Sequence, residues 1–485
     1  MRIRWLLFSG VFLTGLPAVG WGGEWPQFRG PDSNGVAVEK QLPEEWGPDK
    51  NVAWKAKISG QGWSAPVIWG DRVFLTAAGS DQDKSAPGGG RGGRGGRGGR
   101  GGFGPGGFGR GGGRPPDAVY RFEVYCLDRT TGKVLWKQLA LEGKPRISKQ
   151  GSNTYATETP VTDGERVYAY FGMHGLFCYD IDGKQLWKKD LGAFSTQMGY
   201  GTASSPVLDG DRLFVQVDNE ENSFLVALDR KTGDELWRVS RDEGTTWGSP
   251  IIWKNKQRTE LVTPGGQKVR SYDPATGKVL WELTLGSFRC SASPVGDEER
   301  LYVGAGGGPG GGGGRGFGGG PGGGPGRFGG RPGGMGRDGG GTLFAVKAGA
   351  SGDVTPKAGA STSADIAWSR PRAGPAMASP LVYQGYIYIL EQNGGMVSCY
   401  EAATGKPAYQ RERLRGAGSF WASPWGYDGK VFCLDDAGTT HVLQAGPEFK
   451  VLAQNRLDDQ FWATPAMSAG TLILRGVANV YGIKQ

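Results

Sequence analysis

The feature that most constrains the fold of this chain is a nine-residue phrase, Asp-x-x-Thr-Gly-x-x-x-Trp, that recurs along it. The phrase is complete at residues 128–136, 229–237 and 273–281, and one residue shorter at residues 180–187. An Asp carboxylate can cap a turn and Gly tolerates positive φ, so each copy predicts a tight turn. Because an apolar run lies on each side of the turn, each copy indicates a β-hairpin.

A second signature precedes each hairpin: a proline, in most units preceded by Ser or Thr, that opens another apolar run. Eight prolines fit this description, namely Pro66, Pro160, Pro206, Pro250, Pro294, Pro380, Pro424 and Pro465. Consecutive members are 41 to 46 residues apart wherever no glycine-rich insertion lies between them. A unit of four short strands that repeats at this length predicts a propeller blade. We therefore expect an all-β, eight-bladed β-propeller of four-stranded antiparallel blades.

The two ends of the chain are predicted to meet in one blade. The last repeat stops one strand short, at residues 480–483, whereas residues 51–58 form a spare strand that contains Trp54. An N-terminal strand that completes the last blade would remove the open edge that a ring of sheets must protect. The sequence thus predicts a closed propeller over residues 51–485.

The repeats resemble the tryptophan-docking repeats of the pyrroloquinoline-quinone (PQQ) type propeller family, and the resemblance covers nearly all of residues 51–485. That family includes quinoprotein alcohol dehydrogenases and the non-enzymatic outer-membrane assembly lipoprotein of the BamB type. The motif is specific for the fold and says little about chemistry. In the family these tryptophans pack between neighbouring blades, which implies a structural docking role for Trp54, Trp136, Trp187, Trp237 and Trp281.

The chain begins with the pattern of a signal peptide, which we expect at residues 1–20. Arg2 and Arg4 form a basic start, an apolar stretch follows, and small residues precede a cleavage site. We therefore predict a periplasmic or secreted protein with no transmembrane segment after cleavage. The absence of a lipobox cysteine is a departure from the assembly lipoprotein. Residues 21–50 are predicted to be an extension that packs on the propeller.

Two insertions rich in Gly and Arg interrupt the repeats, at about residues 84–117 and 304–341. Such glycine density cannot bury a core, so the sequence predicts that both stay disordered. Six arginines in the first insertion, and four arginines and one Asp in the second, account for the whole formal net charge of +9. An anionic polymer or surface is therefore a possible partner. A nucleic acid is a less favoured one for an exported protein, and insertions without a specific partner remain the simplest alternative.

Cysteine and histidine usage argues against several kinds of site. The five cysteines are scattered and odd in number, which does not predict a disulfide framework. The sequence contains neither Cys-x-x-Cys-His, the motif for attached haem, nor the adjacent Cys pair that quinoprotein alcohol dehydrogenases carry beside the quinone. The two histidines are too few for a multi-histidine metal centre. We therefore predict no metal site and assign no catalytic residue.

One position in the repeat could form a binding site. Three residues before each signature proline lies an equivalent slot, filled by Trp63, Thr157, Ala203, Trp247, Ser291, Met377, Trp421 and Trp462. In the PQQ-type family this segment lies near the mouth of the central channel. We therefore expect a ligand site at Trp63, Trp247, Met377, Trp421 and Trp462, with Arg289 and Tyr155 on the approach loops. The alternative is that these tryptophans only fill the layer between blades.

Two functions from different classes remain open at this stage. The first is an exported, non-enzymatic, monomeric scaffold that binds a protein or polymer partner and carries no assignable cofactor. The second is a PQQ-dependent alcohol or sugar dehydrogenase with the quinone at the channel mouth, for which PQQ and calcium would be the cofactors. The missing Cys pair favours the scaffold, whereas the repeat type and the aromatic mouth favour the enzyme. Fold resemblance alone does not decide between them.

Overall fold

The computed structural model describes residues 23–39, 41–81, 114–286, 290–306 and 341–485. The predicted signal peptide, most of both insertions and Arg289 lie outside these ranges. Within them the protein is an all-β ring of eight four-stranded antiparallel blades, which confirms the predicted fold class. In this part of the chain no helix is long and apolar enough to cross a membrane.

The strands follow the ring in chain order. Strand β1 (Val52–Lys57) precedes the first complete blade. Blade 1 consists of β2 (Val67–Trp69), β3 (Arg72–Gly79), β4 (Tyr120–Asp128) and β5 (Val134–Gly143). Blade 2 consists of β6 (Val161–Thr162), β7 (Arg166–Tyr170), β8 (Leu176–Asp180) and β9 (Gln185–Lys189). Blade 3 consists of β10 (Val207–Asp209), β11 (Arg212–Val217), β12 (Phe224–Asp229) and β13 (Glu235–Ser240).

The remaining blades repeat the pattern with one irregularity. Blade 4 consists of β14 (Ile251–Lys254), β15 (Thr259–Thr263), β16 (Lys268–Tyr272) and β17 (Val279–Thr284). Blade 5 contains β18 (Val295–Gly296), β19 (Arg300–Gly304), β20 (Leu343–Lys347), the short β21 (Gly352–Asp353) and β22 (Ile366–Arg370). Strand β21 leaves its own blade and pairs in parallel with β17 at the outer edge of blade 4.

Three further blades complete the ring. Blade 6 consists of β23 (Leu381–Tyr383), β24 (Tyr386–Leu390), β25 (Met396–Glu401) and β26 (Pro407–Arg413). Blade 7 consists of β27 (Trp425–Tyr427), β28 (Lys430–Leu434), β29 (Thr439–Gln444) and β30 (Val451–Arg456). Blade 8 consists of β31 (Ala466–Ser468), β32 (Thr471–Arg475) and β33 (Asn479–Lys484), with β1 as its outermost strand. Two 3₁₀ turns, Gly172–His174 and Gln197–Gly199, lie in connections.

The order of strands in a blade gives the ring two different faces. The first strand of each blade is innermost and the fourth is outermost. Because neighbouring strands are antiparallel, the connections between second and third strands and the approach loops between blades lie on one face, called the upper face. The turns between first and second strands and the Thr-Gly turns lie on the other, the lower face. Both insertions connect a second strand to a third, so their described ends lie on the upper face.

Burial follows the position of a strand in its blade. The second strand of blade 3, β11, is buried from Leu213 to Val217, because blades on either side cover both of its faces. The outermost β13 alternates between exposed and half-buried residues, as expected for a strand with one solvent-exposed face. The core is therefore a set of apolar layers between blades, not one central cluster.

The ring closes as the sequence predicts. Strand β1 pairs antiparallel with β33, with Lys55 opposite Tyr481 and Lys57 opposite Asn479. The innermost strand of blade 1, β2, packs beside β31 of blade 8. Residues from both ends of the chain thus share the hydrogen bonds of one blade, and β1 covers the edge of β33 that would otherwise be the outer edge of blade 8.

Each of several Thr-Gly turns receives a tryptophan from the preceding blade. Trp54 in β1 lies on Gly132, where φ is +70° and an added Cβ would meet the indole ring at 2.3 Å. The Trp54 Nε1 donates to the Arg129 carbonyl at 2.8 Å. Glycine is needed at this turn both for its φ and for the close approach. The same contact joins Trp136 to Gly183, Trp187 to Gly233, Trp237 to Gly277 and Trp368 to Gly405.

Trp281 is held in a different way although its phrase is complete. Its ring is wholly buried, and its Nε1 donates to the Glu260 carboxylate in the same blade at 2.7 Å. Glu260 also accepts a hydrogen bond from Ser271. The polar tip of this tryptophan therefore ties together strands of blade 4, not two neighbouring blades.

A chain of hydrogen bonds between neighbouring blades runs round the channel just before the signature prolines. The backbone N–H at this position donates to the hydroxyl of the equivalent residue in the next blade. The links, at 2.9 to 3.1 Å, run from Ala65 to Thr159, Ser205, Ser249, Ser293, Ser379, Ser423 and Thr464. Ala65 has no hydroxyl with which to close the circle. At that junction the buried Arg475 of blade 8 donates instead to Ser64 and to the Thr76 carbonyl.

The extension before β1 crosses the channel toward the lower face. Trp25 exchanges backbone hydrogen bonds with Ile68 of blade 1, and the Pro26 carbonyl accepts from Thr162 of blade 2. The Arg29 side chain donates to the Pro380 carbonyl at the start of blade 6, which lies opposite blade 2 in the ring, and Gly426 of blade 7 bonds to the backbone of residues 35–37. The extension therefore lies across the lower part of the channel, in contact with blades 1, 2, 6 and 7.

Candidate functional site

The slot residues line the channel mouth on the upper face. They belong to the approach loops that lead into the innermost strands, and all eight are partly exposed: Trp63, Thr157, Ala203, Trp247, Ser291, Met377, Trp421 and Trp462. The residues that follow them, between the slot and the proline, are mostly buried. The slot is therefore the place where each blade contributes one side chain to the rim of the channel.

Three of the slot tryptophans form one continuous aromatic surface, which we call the tryptophan stack. Trp421 and Trp462 lie with ring centroids 5.0 Å apart and planes 10° from parallel. Trp462 and Trp63 follow at 4.5 Å and 38°. These residues come from blades 7, 8 and 1, which are consecutive across the closure of the ring. The Trp63 Nε1 is fixed by a hydrogen bond to the Ser152 carbonyl at 3.1 Å.

Two neighbouring carboxylates hold the loop that presents Trp421. Asp435 accepts from the Gly418 N–H at 3.0 Å, and Asp436 accepts from the Ser419 N–H at 2.9 Å. Burial raises the pKa of Asp436 despite the hydrogen bonds that it accepts. Burial also acts to raise the pKa of Asp435, but the neighbouring His441 imidazole and the hydrogen bonds from backbone N–H groups outweigh it, and this pKa is lowered. Both groups thus act on the backbone of the approach loop.

The other predicted site residues lie apart from the stack. Trp247 belongs to blade 4, across the channel, where its Nε1 donates to the Gly201 carbonyl at 2.8 Å and its ring contacts Tyr200. Met377 occupies the slot of blade 6. Tyr155 is buried, donates its hydroxyl hydrogen to the Ile147 carbonyl at 3.2 Å and packs edge-on against Tyr120. Arg289 lies outside the described residues.

Opposite the stack, the rim of the channel carries a recess in place of a tryptophan. Blade 3 has Ala203 in its slot, and a recess of about 440 Å³, part of it open to solvent, lies between the approach loops of blades 2 to 4. The approach loops and the upper turns of these blades supply its walls. The side chains around it include Met173, Phe194, Thr202, Ser204 and Gln216. Ala203 could be assigned to the slot from the sequence, whereas the space beside it was not predicted.

The ionisable side chains around the recess either form an ion pair or have a pKa that is shifted by burial. Asp218 accepts two hydrogen bonds from the wholly buried Arg241, at 2.7 and 3.1 Å, so its charge is compensated. Glu158, buried behind Thr202, accepts a hydrogen bond from that hydroxyl at 2.5 Å. Burial raises the pKa of Glu158 to about 7. The recess is therefore close to neutral, and its lining mixes apolar and polar side chains.

Two polar atoms at the recess lack partners. Neither the side-chain oxygen Oε1 of Gln216 nor the hydroxyl Oγ of Ser204 has a hydrogen-bond partner among the described residues. Both side chains are more than nine-tenths buried. Buried polar groups are normally hydrogen-bonded, so such atoms indicate a place where a water or a ligand completes the set.

Metal-binding side chains do not gather at either place. In the described ranges, no group of three or more His, Cys, Asp or Glu side chains is positioned to hold a metal ion. The five cysteines are buried and unpaired with one another, and burial raises the pKa of Cys290 to about 12. What the described surface offers is therefore an aromatic face and a recess lined by apolar, hydroxyl and amide side chains.

Comparison with known proteins agrees with this architecture. A family model described as outer membrane protein assembly factor BamB matches residues 121–309. The outer membrane protein assembly factor BamB of Kangiella koreensis is 24% identical over 184 residues, which cover 37% of this chain and 43% of that protein. The polyvinylalcohol dehydrogenase of a Pseudomonas species is 23% identical over 204 residues, which cover 33% of this chain and 30% of that protein. The matches thus span less than half the length of each relative.

A solved structure extends the likeness to nearly the whole ring. A europium-containing methanol dehydrogenase superimposes with a TM-score of 0.55 at 11% identity, covering 94% of this chain and 90% of that one. At this identity the likeness concerns the fold alone. Together with the eight blades and the Thr-Gly repeats, the matches identify the chain as a PQQ-like repeat β-propeller.

Proposed function

We propose that this protein is an exported, monomeric and non-enzymatic binding protein that holds a protein or polymer partner on the upper face of its propeller. The observation that carries the proposal is the tryptophan stack of Trp421, Trp462 and Trp63 at the channel mouth. Aromatic side chains are enriched at the centres of protein interfaces because they bury much area with little loss of conformational freedom.

The arrangement of the ring makes the upper face the accessible end of the channel. The N-terminal extension crosses toward the lower face and bonds to the innermost strands of blades 1, 2 and 7. A partner that uses the channel therefore approaches from above, where the stack lies. The two Gly/Arg-rich insertions also leave from this face, and their positive charge would attract an anionic protein or polymer.

The relatives include a protein with a role of this kind. The BamB proteins that the chain resembles are named as assembly factors for outer membrane proteins. Because the alignment covers 43% of the Kangiella koreensis protein, the partner of that protein is not carried over to this chain. The shared element is a propeller of PQQ-like repeats, and the assembly role in the relatives' name supports a binding role for this one.

Site-specific photocrosslinking tests the proposal. A photoreactive amino acid is placed at the exposed Gln460, beside the stack, or at the exposed Asp211, in a lower-face turn. Irradiation of the protein in the cell fraction to which it is exported should give a discrete adduct from position 460 and none from position 211. The adduct should disappear when Trp421 and Trp462 are both replaced by Ala. Equal adducts from both positions, or none from either, would contradict the proposal.

The second candidate is a PQQ-dependent dehydrogenase, favoured by the flat aromatic surface at the channel mouth. That surface could stack on a planar quinone, and one relative is a polyvinylalcohol dehydrogenase. Calcium needs several oxygen ligands converging on one point, and the described residues do not provide a group of three candidate metal ligands. Because this fit is incomplete, we assign no cofactor. Reduction of an acceptor dye on addition of PQQ, calcium and an alcohol or sugar would favour the enzyme.

A further inference from the structure

We propose that the recess beside Ala203 is a binding site for a neutral, hydroxyl-rich ligand, a sugar unit or a polyol. This site is distinct from the tryptophan stack and does not depend on the function proposed for the stack. The recess exists because blade 3 carries Ala203 where Trp63, Trp247, Trp421 and Trp462 fill the equivalent slot in other blades. The volume of about 440 Å³ counts open solvent as well as the enclosed space, so only part of a bound ligand would be enclosed.

The chemistry of the lining selects the ligand class. Gln216 donates through Nε2 to Asp218 at 2.7 Å and to the Pro264 carbonyl at 3.0 Å, which leaves its Oε1 as an acceptor without a partner. The Ser204 hydroxyl, also without a described partner, can both donate and accept. A ligand hydroxyl is the simplest group that can donate to Gln216 Oε1 and can either donate to or accept from the Ser204 hydroxyl.

Charged ligands fit the recess less well. Asp218 is already paired with Arg241, and that guanidinium is used by Asp218, Thr263 and Tyr272. An anion would find no free cation in this described wall, and a cation would compete with Arg241 for Asp218. The half-buried Phe194 adds an apolar surface of the kind on which the C–H groups of a sugar ring can pack.

A close backbone contact keeps the floor of the recess in place. Gly172 has a φ of +43°, and a Cβ there would come within 2.1 Å of the Thr202 hydroxyl. Thr202 in turn donates to the buried Glu158. The hydroxyl of Thr202 is thus committed to the fold, which leaves Ser204 and Gln216 as the groups available to a ligand.

Isothermal titration calorimetry on the mature full-length protein tests the site, with maltose and glycerol as separate probes for a sugar unit and a polyol. We expect saturable binding of at least one of them. Ala203→Trp, which introduces the residue found in four other slots, should weaken it at least tenfold. Ser291→Trp, in a slot that does not line the recess, is the matched control and should leave affinity unchanged.

A second variant keeps the test valid if Ala203→Trp does not fold. Ser204→Ala removes a hydroxyl that makes no described hydrogen bond, so the fold should be unaffected, while affinity should fall about fivefold, the value of one neutral hydrogen bond. The Trp421→Ala and Trp462→Ala pair should bind the probes normally, which separates this site from the stack. Absence of saturable binding by both probes, or unchanged binding by the folded Ala203→Trp and Ser204→Ala variants, would overturn the proposal.

Discussion

The indole ring of Trp54 lies directly over Gly132, so the outermost strand of blade 8 is locked onto the Thr-Gly turn of blade 1. A Cβ at Gly132 would stand 2.3 Å from the ring, and the Trp54 Nε1 donates to Arg129 in the same turn at 2.8 Å. Because Trp54 belongs to the N-terminal strand, this contact joins residues from both ends of the chain to the first complete blade. Ring closure therefore rests on side-chain packing as well as on strand pairing.

Replacing Gly132 with Ala should destabilise the protein more than replacing Gly210 with Ala. Both glycines have positive φ, +70° and +58°, but nothing lies within 4 Å of a Cβ at Gly210. The backbone strain of about 1 kcal/mol is therefore shared by both variants. Gly132→Ala should add roughly 1–3 kcal/mol from overpacking against the indole. Urea unfolding measures the difference, and in the Trp54→Ala background the extra cost at Gly132 should vanish.

The hydroxyl chain around the channel allows a second comparison, between Ser249, which is part of the chain, and Ser204, which is not. The buried Ser205 N–H donates to the Ser249 hydroxyl at 2.9 Å. Ser249→Ala removes this acceptor and should lower the free energy of unfolding by about 1–3 kcal/mol. Ser204→Ala removes a hydroxyl with no described partner and should change stability by less than about 0.5 kcal/mol. Thermal unfolding of the two variants provides the measurement. Equal losses would show that the hydroxyl chain does not stabilise the ring.

The signature prolines were sufficient to predict the number of blades, and the spare strand at residues 51–58 predicted the closure, because turn chemistry and apolar periodicity are local properties. The contacts of the docking tryptophans could not be predicted from the phrase alone. Trp281 has the full phrase, yet its Nε1 bonds to Glu260 in its own blade. Trp368 covers Gly405 although its repeat lacks the phrase. Whether a tryptophan covers the turn of the next blade depends on the strands beside it, and a single repeat does not specify those strands.

The candidate site was predicted only in part for a related reason. The slot is a property of each repeat, so its eight residues could be read from the sequence. The stacking of Trp421, Trp462 and Trp63 depends on blade order in three dimensions. The recess beside Ala203 depends on loops of three blades, and its walls are far apart in sequence. The available signal was a small residue in a slot that holds tryptophan in four of the eight blades.

Two buried arginines should respond differently to replacement by Met. Arg241 is paired with the buried Asp218, so Arg241→Met leaves an uncompensated carboxylate and should cost about 3–5 kcal/mol. Arg29, wholly buried in the extension, bonds to the Asn34 and Pro380 carbonyls, and its Nε and Nη1 have no described partner. Its pKa is lowered by burial. Arg29→Met should therefore lower the free energy of unfolding much less than Arg241→Met does, or even raise it, as measured by chemical unfolding. An equal loss for the two variants would contradict this prediction.

The final prediction concerns pH. Burial raises the pKa of Glu158 from an ordinary value of 4.5 to about 7, so the folded protein keeps a proton that the unfolded chain releases between these values. The stabilisation from this group is therefore complete below pH 4.5 and is lost as pH rises through 7, a change of about 3 kcal/mol. Glu158→Gln cannot ionise, so its stability relative to the parent should increase by this amount from pH 4.5 to 8. Glu165→Gln, at an exposed turn, is the control, and parallel stability curves for the parent and Glu158→Gln would refute the shift.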